Sequence, residues 1–239
     1  MLPAIGPHRV YPVLCAVRRE DRLKLGRMTP LVVGVDVGGP AKGYHAVALA
    51  GAVIAGTLRT RDPQEVADWC AFHSAAAVAI DAPCRWRRPG ASARTAEREL
   101  AAAGISCFST PTRERADGHA FYTWMFMGEN LYAALAPKYP IYASQTPGAP
   151  VAFETFPQAV ACSLAGEIVS AKTKRATRTA LLRRAGLTAS ALKKIDDVDA
   201  ALCALAAQHF MANRFKAFGD ATDGYIIVPR ERGNRGARE

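Results

Sequence analysis

The sequence lacks the marks of membrane, secreted and zinc proteins. Charge or proline interrupts every apolar run well before membrane-spanning length. Six cysteines are dispersed without a Cys-x-x-Cys pair, which predicts reduced thiols and argues against a disulfide framework or a zinc site. The first 27 residues lack the ordered basic, apolar and cleavage regions of a secretion signal. We therefore expect a cytoplasmic protein with no membrane partner.

Acidic residues are scarce, with 21 Asp and Glu against 31 Lys and Arg and a net charge of +10. Much of this excess lies at the two ends of the chain. We expect residues 1–28 to be an N-terminal extension that need not be ordered, 29–229 to be the working domain, and 230–239 to be a basic tail. Basic ends attract phosphate without specificity, so net charge alone does not identify a nucleic-acid partner.

Four of the scarce acids stand where a predicted strand ends or a helix begins: Asp36, Asp81, Glu154 and Asp199. The first three each close a short apolar run, and such runs between turn residues are typical of buried strands. Asp199 lies near the start of an alanine-rich stretch that predicts a helix. Ligands of α/β sheets bind at the carboxyl ends of the strands. Converging carboxylates repel each other unless a cation lies among them, so the pattern predicts a cation site.

The order of predicted elements indicates the fold class. Strands at about 31–37, 44–50 and 52–58 lie so close in sequence that they form a meander. Helices and strands then alternate from Pro63 onward. This order predicts an α/β protein with an RNase H-like mixed sheet and helices on both faces. In that topology the first strand neighbours the fourth, which brings Asp36 beside Asp81.

Five segments, in order, resemble the successive signatures of the domain of unknown function family 429, regarded as predicted nucleases of RNase H-like fold. They are Val33-Gly34-Val35-Asp36 with Lys42-Gly43, Ala79-Ile80-Asp81-Ala82-Pro83, Phe153-Glu154-Thr155-Phe156-Pro157, Asp197-Val198-Asp199-Ala200-Ala201-Leu202-Cys203-Ala204 and Gly224-Tyr225-Ile226-Ile227-Val228-Pro229. The resemblance spans about residues 31–229. It implies metal-assisted hydrolysis of phosphodiester bonds in nucleic acid.

That chemistry assigns roles to the four acids. Mg²⁺ and Mn²⁺ prefer carboxylate oxygens, and two such ions would clamp the attacking and leaving oxygens of the reaction. We expect Asp36 to bridge the ions, Asp81 and Glu154 to complete their ligand shells, and Asp199 to close the site from the helix. All four are thus predicted metal ligands and catalytic residues.

Each acid also has a structural interpretation. Asp36 precedes two glycines and Asp81 precedes Ala-Pro, so either carboxylate is able to hold a turn. Glu154 stands between aromatic residues, where a paired structural glutamate is an alternative. Asp199 shares an otherwise apolar helical stripe with Cys203 and Phe210. An acid on a buried stripe requires a partner, and a metal would supply one.

Three basic residues are candidates for contact with substrate phosphate. Lys42 follows a glycine turn, Arg85 begins an arginine-rich loop after Asp81, and Lys174 lies in a basic segment at 172–184. Arginine in particular suits phosphate. A solvated surface is the alternative for each of these residues.

Two other classes of function remain open. A non-catalytic nucleic-acid or ligand-binding module would keep the fold and the basic clusters without requiring four converging acids. The segment 34–39 also resembles the first phosphate loop of actin-like kinases and ATPases. That class needs a second domain and a second glycine-rich loop, and the chain offers no later Asp-x-Gly-x-Gly.

Overall fold

The computed structural model describes residues 30–230, so the predicted N-terminal extension and all but the first residue of the predicted tail lie outside the described residues. Seven strands form one mixed sheet within this range. They are β1 (Val32–Val37), β2 (Tyr44–Ala50), β3 (Val53–Thr60), β4 (Ala77–Asp81), β5 (Val151–Glu154), β6 (Phe215–Asp220) and β7 (Gly224–Pro229). Their order across the sheet is β3-β2-β1-β4-β5-β7-β6.

Seven α-helices accompany the strands in the described chain. They are α1 (Pro63–Phe72), α2 (Thr95–Ala102), α3 (Arg113–Ala116), α4 (Thr123–Leu135), α5 (Pro157–Ala165), α6 (Lys174–Arg184) and α7 (Ile195–Met211). Proline occupies the first turn of both α1 and α5, where its missing N–H leaves no helical hydrogen bond unmade.

The strand pairing confirms the predicted RNase H-like fold. The first three strands are a meander, because β1 pairs antiparallel with β2 and β2 with β3. Strand β4 then runs parallel to β1, and β5 runs parallel to β4. Parallel neighbours require crossover connections, and the segment with α1 supplies the first of them. As a result, β1, β4 and β5 all end at the same edge of the sheet.

Each face of the sheet has its own apolar core. On one face, α5, α6 and α7 pack over side chains such as Val32, Ala79 and Phe153. On the other face, α1 and α4 cover alternate residues of the same strands, including Val33 and Ile80. This alternation follows from the two-residue repeat of a strand, and it confirms the predicted helices on both faces.

The alanine-rich helix α7 lies directly on β1. A Cβ atom added at Gly34 would stand 2.1 Å from the carbonyl oxygen of Ala200 and 2.1 Å from the amide nitrogen of Ala204. Only glycine permits so close an approach of helix and strand backbones. This contact holds the start of α7, with Asp199, close to the end of β1, with Asp36.

Candidate active site

Asp36 and Asp81 lie side by side at the carboxyl edge of the sheet. The register of the parallel pair β1 and β4 sets Asp36 directly opposite Asp81. Residues that are opposite each other in register project to the same face of a sheet. The predicted adjacency of the two acids is therefore present, and the face that they share is the one covered by α7.

The two carboxylates are uncompensated. Neither accepts a hydrogen bond from any residue between 30 and 230, and neither forms an ion pair there. Burial, together with the charges of Asp199 and Asp196, raises the pKa of Asp36 to about 7. Burial and the charges of Asp36 and Asp199 raise the pKa of Asp81 well above its ordinary value. Like charges held this close favour either a shared proton or a bound cation.

Asp199 approaches the pair from α7 but already has a cation of its own. Its Oδ1 accepts a hydrogen bond from Nη1 of Arg178 at 2.5 Å, and both side chains are buried. Arg178 belongs to α6 and also donates through Nη2 to Gln158 at 3.0 Å. Burial raises the pKa of Asp199, with the guanidinium of Arg178 opposing that shift. Within the acid cluster, Arg178 therefore supplies positive charge that a metal would otherwise bring.

Glu154 is close enough to Asp81 for its charge to raise the pKa of Asp81, but it projects to the other face of the sheet. Strand β5 pairs with β4 so that Glu154 is opposite Ile80 and not opposite Asp81. A one-residue offset reverses the face to which a side chain projects, and Ile80 belongs to the core beneath α1 and α4. The carboxylate of Glu154 therefore leaves the sheet on the face away from α7.

On that face Glu154 is bound by an arginine. Nη1 and Nη2 of Arg94 donate to its two carboxylate oxygens at 2.7 and 2.5 Å, and the backbone N–H of Cys84 donates to Oε2 at 2.9 Å. Arg94 also donates through Nε to Glu97 at 2.9 Å. All three ionic side chains are buried. These contacts assign Glu154 to a structural ion pair that holds the loop after Asp81, and its role as a metal ligand stays a prediction.

The three predicted phosphate contacts lie at different places. Lys42 is exposed and donates to Asp196 at 3.1 Å, and its charge acts against the raised pKa of Asp36. The exposed Lys174 has the same effect on Asp36, so both lysines lie within electrostatic reach of the acid pair. Arg85 lies beside Gly224, where an added Cβ would stand 3.1 Å from its Cγ. Two of the three candidates thus border the acids.

The donor atoms fit a hard divalent cation only in part. Mg²⁺ commonly binds through one or two carboxylates and keeps several waters, and Asp36 with Asp81 provides such a pair. Among residues 30–230, however, no group of three or more His, Cys, Asp or Glu side chains is arranged to hold a metal ion. Asp199 is a third possible ligand through Oδ2, since Arg178 bonds only to its Oδ1.

Two arginines that organise the site were not identified from the sequence as its partners. Arg94 stands three residues before Glu97, a spacing that predicts a contact on one helical face. Arg178 shares its helical face with the buried Leu181 and Leu182, so its spacing resembles that of core residues within an otherwise basic segment. Both signals are visible in the sequence, but neither indicates which distant acid the arginine meets.

Comparison with known proteins identifies the family. The family described as "Protein of unknown function (DUF429)" matches residues 34–223, and the chain belongs to this family. The match includes Asp36, Asp81, Glu154 and Asp199. Among curated proteins, none matches the chain.

Two solved structures are similar to the chain at a low level. "Thermus thermophilus RuvC structure" is 16% identical, with 82% of this chain and 99% of that chain covered and a TM-score of 0.41. "T. thermophilus RuvC in complex with Holliday junction substrate" is also 16% identical, with 77% and 95% covered and a TM-score of 0.42. Similarity at this level supports no conclusion about catalysis in this chain. Among the described residues, no helix has the length and apolar character needed to cross a membrane.

Proposed function

We propose that the protein is a metal-dependent phosphodiesterase that cleaves nucleic acid at the carboxyl edge of its sheet. The observation that carries the proposal is the uncompensated pair Asp36 and Asp81, held opposite each other in register. A half-buried pair of like charges is costly, and no described residue offers either carboxylate a hydrogen bond. Binding of a cation explains why the chain carries this costly pair, whereas a contribution to stability does not.

The pair would act as the protein ligands of Mg²⁺ or Mn²⁺, with two ions as our expectation. When bound, such a cation neutralises the carboxylates and stabilises charge on the reacting phosphodiester. Asp36 and Asp81 would fix its position from two neighbouring strands, which are rigid platforms. Asp199 would join them through Oδ2, while its Oδ1 keeps the bond to Arg178.

The surrounding residues would bind and orient the substrate. Lys42 and Lys174 border the acids and are exposed, so both would meet phosphate oxygens as point charges, Lys42 from its contact with Asp196. Arg85 would contact the nucleic acid farther from the acids. Glu154 would be a positioning residue, because its bond to the amide of Cys84 holds the loop that follows Asp81.

A cleavage assay tests the proposal. Native protein with Mn²⁺ is incubated with single-stranded RNA, single-stranded DNA, duplexes, a branched junction and a small phosphodiester. We expect cleavage of at least one substrate, and we expect Asp36→Asn to lower its rate on the order of 100-fold or more, as loss of a charge-stabilising group does. Asp68→Asn is the matched control, since Asp68 is exposed on α1. Equal rates for native protein and Asp36→Asn would show a contaminating activity or a wrong site.

One observation favours a second candidate, a nucleic-acid-binding module without catalysis. The buried bond between Arg178 and Asp199 already compensates one acid of the cluster, and that arrangement needs no metal. Such a module would bind the same substrates with an affinity independent of Mn²⁺, and it would cleave none of them.

A further inference from the structure

A basic cavity lies beside the acid pair. It has a volume of about 530 Å³ and lies between the turn after β1, the end of β3 and the start of α7. Its charged lining consists of Lys42, Arg59, Arg61 and Lys194 with the single acid Asp196. Cavities of roughly 300–1,000 Å³ are typical of small-molecule sites. The space is therefore sufficient for a phosphate group with its sugar.

A buried carboxylate holds one wall of this cavity in place. Oδ1 and Oδ2 of Asp197 accept from Nε and Nη2 of Arg59 at 3.0 and 2.5 Å. Asp197 also lies 2.9 Å from Nδ1 of the buried His45 and accepts from the backbone N–H of Lys194 at 2.9 Å. Nη1 of Arg59 meets no hydrogen-bond acceptor within the described part of the chain. The guanidinium is thus fixed in place with one donor nitrogen still available.

The positive charges of the cavity exceed its negative charges. Asp197 compensates Arg59, and Asp196 compensates Lys42 through a contact of 3.1 Å. Within the described chain, Arg61 donates to the backbone carbonyl of Ala41 at 2.9 Å and forms no ion pair. The side chain of Lys194 forms no ion pair with an acid there either. Two positive charges remain, and a fixed guanidinium with nearby ammonium groups is the arrangement that phosphate prefers.

The position of the cavity links it to the proposed site. Lys42 and Asp196 both line the cavity and both act electrostatically on Asp36. We propose that this cavity binds a phosphate of the nucleic-acid strand next to the bond that is cleaved, with Arg59, Arg61 and Lys194 as the contacts and Asp197 as the residue that positions Arg59. This inference rests on the proposed function for the identity of the strand.

Binding assays without divalent metal test the inference separately from catalysis. The probe is a fluorescent single-stranded 12-nucleotide DNA, with either a 5′-phosphate or a 5′-hydroxyl, measured by anisotropy in the presence of a chelator. We expect Arg61→Ala and Lys194→Ala each to weaken binding about five- to tenfold, the size of one net hydrogen bond at an exposed site. The slope of affinity against salt should fall by about one for each variant.

Neighbouring cations provide matched controls. Lys193 is exposed next to Lys194 but does not line the cavity, so Lys193→Ala removes the same charge at almost the same place. Arg183→Ala on α6 is the corresponding control for Arg61. We expect less than a twofold effect from either control. Inorganic pyrophosphate should compete with the DNA on native protein, and about five- to tenfold less well on Arg61→Ala.

The two probes distinguish the source of the phosphate. If the cavity holds an internal phosphate, both DNAs bind native protein equally; if it holds a terminal phosphate, only the 5′-phosphorylated DNA is sensitive to Arg61→Ala. Both results support the inference. It is overturned if Lys193→Ala weakens binding as much as Lys194→Ala, or if native protein binds neither DNA nor pyrophosphate. Normal binding with no cleavage would instead contradict the proposed function alone.

Discussion

Two clusters of acids lie at the same edge of one sheet, and they differ in how their charge is compensated. On the face covered by α1 and α4, Glu154 and Glu97 share the buried guanidinium of Arg94. On the face covered by α7, Asp36 and Asp81 lie opposite each other without an arginine between them. The two clusters are adjacent, because Asp81 and Glu154 line one small cavity and the charge of Glu154 contributes to the raised pKa of Asp81.

The difference separates charges that are satisfied within the protein from charges that are not. A buried acid with an arginine and backbone donors is satisfied within the protein, and its pairing fixes the conformation of a loop. A half-buried acid pair without donors has a raised pKa, and it lowers the stability of the native state when it ionises. Both kinds of acid lie at strand ends, so position in the sequence does not distinguish them. They differ in whether an arginine or a backbone N–H bonds to the carboxylate.

Removal of Arg94 should have the largest effect on stability. Arg94→Ala leaves Glu154 and Glu97 buried without their cation, so we expect a loss of about 3–5 kcal/mol in the free energy of unfolding. Urea denaturation followed by circular dichroism measures this loss. Arg113→Ala is the control, since Arg113 and Glu129 form an exposed pair whose removal costs at most about 1 kcal/mol. Similar losses for both variants would mean that the Arg94 cluster is not the structural one.

Removal of a charge from the acid pair should have the opposite effect and stabilise the protein. The folded-state pKa of Asp36 is raised from 3.8 to about 7, so its proton binds more tightly in the folded than in the unfolded protein. Native stability therefore falls as pH rises from about 4 to about 7, and Asp36→Asn removes that loss. We expect the variant to be more stable than native protein by on the order of 1–3 kcal/mol at about pH 8, and by almost nothing at about pH 4.

Denaturation at several pH values checks this prediction. The exposed control Asp68→Asn should show no such pH-dependent gain. A native protein that is more stable than Asp36→Asn at pH 8 would indicate that Asp36 is compensated, and the contrast between the two clusters would then be lost.

Asp197 is a compensated acid, and its removal should have a smaller effect on the free energy of unfolding. Burial would raise its pKa, but hydrogen bonds from Arg59 and His45 outweigh burial and hold the pKa at about 2. Its contribution to stability is complete above about pH 4 and is lost as pH falls from about 4 to about 2. We expect Asp197→Asn to lower stability by about 1–2 kcal/mol at pH 7. Acid titration of native protein and variant by circular dichroism measures this, and parallel acid-unfolding curves would contradict it.

The sequence was sufficient for the fold and for the adjacency of Asp36 and Asp81. A meander followed by alternating strands and helices predicts that β1 neighbours β4, and this adjacency brings Asp36 to Asp81. Strand β6 was missed, because Phe215–Asp220 is an edge strand that contains a glycine and has a mixed burial pattern. Glycine and a mixed burial pattern weaken the apolar signal on which strand prediction depends.

Glu154 shows what the sequence could not supply. Its place at a strand end was predicted correctly, but the face on which its side chain leaves the sheet depends on the register between β4 and β5. Register is set by packing across the whole sheet. Because side chains alternate between the faces with a period of two residues, a slip of one residue moves every side chain to the other face. The pairs Arg94–Glu154 and Arg178–Asp199 join residues distant in sequence. The sequence did not predict them, because each pairing depends on how the helices pack on the sheet.

The central claim is that the uncompensated pair, and not every acid at this edge, holds a divalent cation. Calorimetric titration with Mn²⁺ of native protein, Asp36→Asn, Asp81→Asn and Glu154→Gln tests it most directly, using variants whose circular dichroism matches that of native protein. We predict that each Asp variant binds Mn²⁺ at least about tenfold more weakly, while Glu154→Gln stays within about threefold of native protein. Equal loss in Glu154→Gln and Asp36→Asn, or unchanged binding in both Asp variants, would contradict the account.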